Sequence, residues 1–130
     1  MFVVDSCVWI ESYAGRWGRE AALLRKTVEI DDDAVALCGP ILQEVLQGFR
    51  DAATFRRELF RLLDYTIFET TRWTFLRAAD LFRQLRRKGV TVNSFDITIA
   101  AVCFEQGLPL LTCDKRDFAP IAKYAGLKLL

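Results

Sequence analysis

Short apolar runs alternate with helix-length segments along this chain, and this alternation most limits the folds available to it. Such runs, bounded by turn-forming or acidic residues, are typical of buried strands. They lie at residues 1–4, 34–38, 65–68 and 108–112, with a further short run at 127–130. Strands that alternate with helices predict an α/β fold around a mainly parallel sheet.

The segments between the runs carry apolar residues at helical spacing. The clearest helix covers residues 71–87, where Trp73, Leu76, Ala79 and Phe82 share one side. Six more helices are predicted, at residues 6–13, 17–29, 40–49, 52–63, 94–106 and 117–124. Since no linker, repeat or low-complexity segment interrupts the pattern, we expect a single domain over residues 1–130.

The chain contains no histidine. This excludes a Ser-His-Asp triad, a Cys-His pair, an HExxH zinc site and any acid/base chemistry by imidazole. Catalysis would therefore depend on carboxylates, cysteine, lysine, hydroxyl groups or a metal ion held by oxygen.

Cysteine usage and hydropathy predict the setting of the protein. The four cysteines form no CxxC pair, and in a chain with 52% hydrophobic residues we expect them to be reduced and mostly buried. Asp5 interrupts the only apolar N-terminal segment, and no run approaches the ~20 apolar residues of a membrane span. We expect a cytoplasmic protein without membrane association. The cysteines are Cys7, Cys38, Cys103 and Cys113.

The net charge of +1 conceals an uneven distribution. Residues 1–49 carry four basic and eight acidic residues, whereas residues 50–90 carry ten basic and five acidic ones. The basic middle of the chain has two interpretations: it attracts a polyanion or an acidic partner, or it is a solvated helix face.

Four carboxylates lie at the ends of predicted strands or within apolar helices, where an unpaired charge is unfavourable. Asp5 and Asp114 each follow a predicted strand, at the sheet edge where α/β proteins bind ligands. Glu44 is the only charge of its apolar helix, and Asp96 is the only charge between residues 94 and 104. Carboxylates without histidine suit a hard cation, Mg²⁺ or Mn²⁺, better than zinc. Such a cation lowers the pKa of bound water and clamps a phosphate during in-line attack.

Each acid also has a purely structural interpretation. Asp5 and Asp117 could be helix N-caps, Asp114 could lie in a turn, and Asp96 could favour a helix dipole. Glu44 could pair with an arginine of the basic middle. Taken singly, the structural interpretation is favoured for each residue, but their joint occurrence favours a metal site.

Four segments resemble the motifs of PIN-domain nucleases, in the same order and with similar spacing. They are Val3–Ile10 around Asp5, Glu44 early in the helix after a strand, Phe95–Ala101 around Asp96, and Leu110–Phe118 around Asp114. The order, the spacing and the chain length are similar to those of the VapC-type toxins of prokaryotic toxin–antitoxin pairs, and the match spans nearly the whole chain.

The resemblance implies a PIN-domain-like three-layer α/β/α fold with a central parallel sheet of four to five strands. It also implies a toxin that is a Mg²⁺- or Mn²⁺-dependent endoribonuclease and hydrolyses RNA phosphodiester bonds. Asp5, Glu44, Asp96 and Asp114 would be its catalytic carboxylates, holding the metal and activating water. Members of this family dimerise and are inhibited by a VapB-type antitoxin, whose C-terminal tail enters the active-site groove.

The resemblance also gives roles to neighbouring residues. Ser6 and Thr112 would orient the carboxylates or metal-bound water. Asp117 would assist directly or through water, with Asp114 as the expected fourth ligand. Cys7 replaces the serine, threonine or asparagine common at its position, so we expect one polar contact to be missing there. The candidates for contact with RNA phosphate are Arg86, Arg87, Lys88, Lys115 and Arg116.

Two other functions stay open at this point. One is a catalytically silent PIN-like domain that only binds, although intact acids at all four motif positions count against it. The other is a receiver-like α/β signalling domain, which needs paired acids after its first strand and a lysine after a late strand. Asp5 alone follows the first run, whereas Lys115 does follow a late one.

Overall fold

A four-stranded parallel sheet forms the centre of the protein, in a computed structural model that describes all 130 residues. The strand order is β3-β2-β1-β4, and every neighbouring pair is parallel. The carboxyl ends of the strands therefore meet at one edge of the sheet. The strands are β1 (Phe2–Val4), β2 (Val35–Cys38), β3 (Thr66–Phe68) and β4 (Leu110–Leu111).

Seven α-helices flank the sheet and complete the predicted three-layer α/β/α fold. A short 3₁₀ turn, Asp32–Ala34, leads into β2 at the opposite, amino edge of the sheet. The helices are α1 (Ser6–Tyr13), α2 (Arg19–Ile30), α3 (Gly39–Gln47), α4 (Ala52–Leu63), α5 (Arg72–Arg87), α6 (Ser94–Gln106) and α7 (Lys115–Ala125).

Helix α6 is the most buried helix and anchors part of the carboxyl edge. Its residues 97–103 are all buried, because α3, α5 and α7 pack around it and its sequence offers apolar groups on every side. Helix α3 differs, since only Ile41 and Val45 are buried on it and Glu44 is half-buried. Leu42 and Leu46 are half-buried as well, so the exposed residues of α3 are Gln43 and Gln47.

The C-terminal segment departs from the predicted pattern in two places. Helix α7 begins at Lys115 instead of Asp117, because the chain enters the helix almost directly after β4. The run at 127–130 forms one bridge, between Leu110 and Leu129, instead of a strand. Gly126, at φ 81°, turns the chain back along β4. Because β4 has two residues, the pairing does not extend further.

The four cysteines are free thiols, and two of them, Cys38 and Cys103, are buried. Cys7 and Cys113 are half-buried and lie at the carboxyl edge of the sheet. None of the helices combines the length and the hydropathy needed to span a bilayer.

Candidate active site

Asp5 is the most buried carboxylate at the carboxyl edge of the sheet, with 4% of its surface exposed. Its Oδ1 accepts a hydrogen bond from the backbone N–H of Ser6 at 2.8 Å, so it also caps α1. Its Oδ2 accepts hydrogen bonds from the Thr112 hydroxyl at 2.7 Å and from the Cys7 thiol at 3.4 Å. Three donors thus hold the side chain in one orientation.

Two side chains join the ends of β1 and β4. The fully buried hydroxyl of Thr112 donates to Asp5 and accepts the backbone N–H of Asp114 at 2.9 Å. The Cys7 sulfur accepts the backbone N–H of Cys113 at 3.2 Å. Burial, and then the charge of Asp5, raise the pKa of the Cys7 thiol and keep it a donor. The expectation of a missing polar contact at Cys7 is therefore wrong.

Glu44 reaches the same edge from α3. Its Oε2 accepts a hydrogen bond from the Ser6 hydroxyl at 2.8 Å, and Ser6 adjoins Asp5 in the chain. The ion pairs of the structure involve other acids, so the interpretation of Glu44 as the partner of an arginine is wrong. Ser6 instead connects two of the predicted metal ligands.

Asp96 lies in the first turn of α6 and is held by Asn93, a residue that the sequence analysis missed. Asn93 Oδ1 accepts the backbone N–H of Asp96 at 2.9 Å, and its Nδ2 donates to Asp96 Oδ2 at 2.7 Å. This reciprocal arrangement has the spacing of a capping box, so the Asn-x-x-Asp pattern could have indicated it.

Asp114 and Asp117 are exposed at the start of α7. Asp114 occupies the N-cap position without a side-chain capping bond, and Asp117 lies inside the first turn. The interpretation of Asp117 as an N-cap is therefore wrong. Partial desolvation raises the pKa of Asp114, and the neighbouring Asp117 carboxyl raises it further.

Burial and the neighbouring acids act together on Asp96. Burial raises its pKa to about 6, and repulsion from Asp5, Asp117 and Asp114 contributes to the increase. The hydrogen bond from Asn93 opposes this shift. The site carboxylates form no ion pair with lysine or arginine. The carboxyl edge therefore carries negative charge that the protein itself does not neutralise.

The donors of this site fit a hydrated hard cation. They are all oxygens, which Mg²⁺ and Mn²⁺ prefer. No three of the site carboxylates have oxygens within 4.8 Å of one another, so waters would complete the coordination of a bound ion, as they usually do for Mg²⁺. The tighter acidic group, Asp31–Asp33, is exposed at the opposite edge of the sheet.

The five basic residues predicted to contact RNA are not all near the carboxylates. Arg116 lines a cavity of about 180 Å³ together with Asp96 and Asp117. Lys115 pairs with Glu20, with 3.4 Å between Nζ and Oε1. Three others are exposed at the end of α5, outside that cavity: Arg86, Arg87 and Lys88.

Comparison with known proteins identifies a family and a shared fold. The model of the PIN domain matches residues 2–124. Ribonuclease VapC11 of Mycobacterium tuberculosis is 29% identical over 132 residues, which cover 98% of this chain and 96% of that protein. The match therefore extends over all four acidic motifs.

Solved structures show the same fold at lower sequence identity. VapBC2 of Rickettsia felis, bound to a DNA fragment from its promoter, aligns with a TM-score of 0.79 and 15% identity, over 99% of this chain and 96% of that one. VapBC-5 of Mycobacterium tuberculosis, a toxin–antitoxin system, aligns with a TM-score of 0.71 and 23% identity over the same shares.

Neutralising Asp96 is expected to stabilise the metal-free protein. The pKa of Asp96 is about 6 in the folded state, against an ordinary value near 3.8. Between these two pH values the folded protein binds more protons than the unfolded protein, so the free energy of unfolding falls as the pH rises from 3.8 to 6. Solvent screens the half-buried group, so we expect Asp96→Asn to gain about 1 kcal/mol, or about 3–5 °C in Tm, at pH 7 in EDTA.

The measurement is a series of thermal unfolding curves in EDTA between pH 4 and pH 7. The exposed Asp80→Asn on α5 is the matched control and should follow the wild type at every pH. A Tm of Asp96→Asn at or below that of the wild type at pH 7 would contradict the raised pKa of Asp96 and the burial and repulsion that cause it.

Thr112→Val tests the hydroxyl that joins Asp5 to Asp114. Valine keeps the shape of the side chain but removes a hydrogen bond to a buried carboxylate, so the free energy of unfolding should fall by about 2–3 kcal/mol. Thr112→Ser keeps the hydroxyl and loses a buried methyl group, so it should cost about 1 kcal/mol. Urea denaturation in EDTA checks both variants, and equal losses would show that the hydroxyl does not contribute.

Proposed function

Because the chain belongs to the PIN-domain family, we propose that it is a metal-dependent endoribonuclease that hydrolyses phosphodiester bonds in RNA. The observation that carries this proposal is the convergence of carboxylates at one sheet edge without a basic partner. The activity named for the curated relatives, VapC ribonuclease, supports it.

Four side chains would hold Mg²⁺ or Mn²⁺: Asp5, Glu44, Asp96 and Asp114. Asp117, whose charge acts on both Asp96 and Asp114, would assist directly or through water. A divalent cation supplies such a site with a polarised phosphate oxygen and a coordinated water of lowered pKa.

The neighbouring hydroxyls keep the carboxylates in place. Ser6 fixes Glu44, and Thr112 fixes Asp5, so both acids keep their orientation when substrate arrives. Arg116 lies beside Asp96 and is the basic group best placed to receive an RNA phosphate. Without a cation the carboxylates repel that phosphate, and we therefore infer that cation binding precedes productive RNA binding.

We propose in addition that the protein acts as a cytoplasmic toxin, forms a homodimer and is inhibited by a VapB-type antitoxin. The names of the structural neighbours, which are VapBC complexes, support this assignment. Several large apolar side chains are more than half exposed and offer area for protein contacts: Trp17, Leu63, Trp73 and Leu76.

Purified protein should cleave RNA in the presence of Mg²⁺ or Mn²⁺. Asp96→Asn should lower the rate by at least about 100-fold, since a metal ligand contributes several kcal/mol to transition-state stabilisation. Gel analysis of end-labelled RNA measures the rate. EDTA should abolish cleavage by the wild type.

The control variant is Asp33→Asn, which removes a carboxylate from the exposed Asp31–Asp33 group and should cleave at the wild-type rate. Equal rates for Asp96→Asn and the wild type, or cleavage that persists in EDTA, would overturn the proposed mechanism. RNA binding without any cleavage would favour the silent binding domain instead.

Inhibition by an antitoxin predicts a rescue of growth. Expression of the wild-type chain should arrest bacterial growth, and co-expression of a VapB-type protein from a small adjacent upstream frame, where the gene has one, should restore it. The two proteins should co-purify, and the complex should not cleave RNA. Growth arrest by Asp96→Asn as strong as that by the wild type would show that the arrest does not depend on cleavage.

A further inference from the structure

A second cavity shares no lining residue with the cavity that Arg116 lines. It has a volume of about 430 Å³ and lies between the starts of α3 and α6. Gln43 and Phe95 line it, and each directly precedes a predicted ligand, Glu44 and Asp96 respectively. Chain neighbours of two proposed ligands, on two separate helices, therefore line this cavity.

The lining of this cavity is uncharged but rich in hydrogen-bonding groups. The side chains of Gln43, Thr70 and Ser94 make no hydrogen bond within the protein. Two aromatic rings, Phe75 and Phe95, are 54% and 37% exposed beside them. Aromatic faces next to free polar groups suit a flat ligand with polar edges.

We propose that this cavity binds an unpaired nucleobase of the RNA, adjacent to the phosphate that is hydrolysed. This inference rests on the proposed ribonuclease function and adds a base-binding subsite to it. The base stacks on Phe95, and the amide of Gln43 offers a donor and an acceptor to the edge of the base.

The charges on the two sides of Asp96 favour this assignment. The cavity lined by Arg116 and Asp117 is charged and suits the sugar-phosphate backbone, whereas no residue that lines the second cavity is charged. A base inside a duplex is stacked and paired and does not present its face to a side chain. The cavity therefore selects a nucleotide that is already unpaired.

Binding of a short single-stranded RNA tests the proposal. Fluorescence anisotropy, in the cleavage-deficient Asp96→Asn background with Mg²⁺, should show a Kd that is about 5- to 100-fold weaker for Phe95→Ala. Phe95→Tyr should bind normally because it keeps the aromatic face, whereas Phe95→Leu should bind as weakly as the alanine variant. Duplex RNA should bind weakly and equally to all of them.

Two matched controls separate this site from general surface effects. Gln47→Ala removes the same side chain one turn along α3, and Phe60→Ala removes an exposed aromatic ring on α4. Both should bind RNA like the parent protein. Gln43→Ala should instead change the ranking of the four bases at the cleavage site, since it removes the group that contacts the edge of the base.

Two outcomes overturn the inference, and a third concerns the proposed function instead. Phe95→Ala with unchanged affinity shows that no base stacks there. Analytical ultracentrifugation gives the second outcome. If Phe95→Ala or Gln43→Ala changes the oligomeric state and leaves RNA affinity unchanged, a second copy of the chain occupies the cavity. If the wild type cleaves no RNA, the ribonuclease function fails; if it cleaves and Phe95→Ala binds normally, the base site alone fails.

Discussion

Repulsion between carboxylates at the carboxyl edge of the sheet is the interaction that the surrounding structure has to offset. It contributes to raising the pKa of Asp96 to about 6, and no lysine or arginine forms an ion pair with the acids concerned. The protein offsets it with neutral donors: Thr112, Ser6, Cys7 and Asn93 each donate to one of the carboxylates. Neutral donors fix the orientation of the acids and leave their charge available to a cation.

The parts of this arrangement that follow from local sequence could be predicted. Asp5 and Asp114 come directly after apolar runs, and parallel strands bring their carboxyl ends to the same edge. Asp96 is recognisable because α6 is apolar on every side, so a single charge at its start is conspicuous. Glu44 is recognisable in the same way, as the only charge of its helix, and the family motifs indicate the same residue.

The contacts between distant segments could not be predicted in the same way. Thr112 and Asp5 are 107 residues apart, and Ser6 and Glu44 are 38 apart, so each bond depends on how the strands and helices align. Cys7 shows why a prediction from residue type alone can be wrong. Its thiol is polar enough to bridge two strand ends once the backbone N–H of Cys113 is within reach.

The uneven charge of the chain acquires a physical meaning from this geometry. Its basic side chains lie mainly on exposed helix faces, such as the end of α5 with Arg86 and Arg87, whereas the acids of the candidate site, of which Asp5 is buried, lie at the sheet edge. A polyanion is attracted to the basic faces over a range of about 10 Å in ordinary salt but is repelled by the bare carboxylates. A bound cation would remove the repulsion by the carboxylates without changing the attraction to the basic faces. On the proposed function, the basic faces would therefore hold RNA loosely without metal, and a phosphate would reach Asp96 only when the metal is bound.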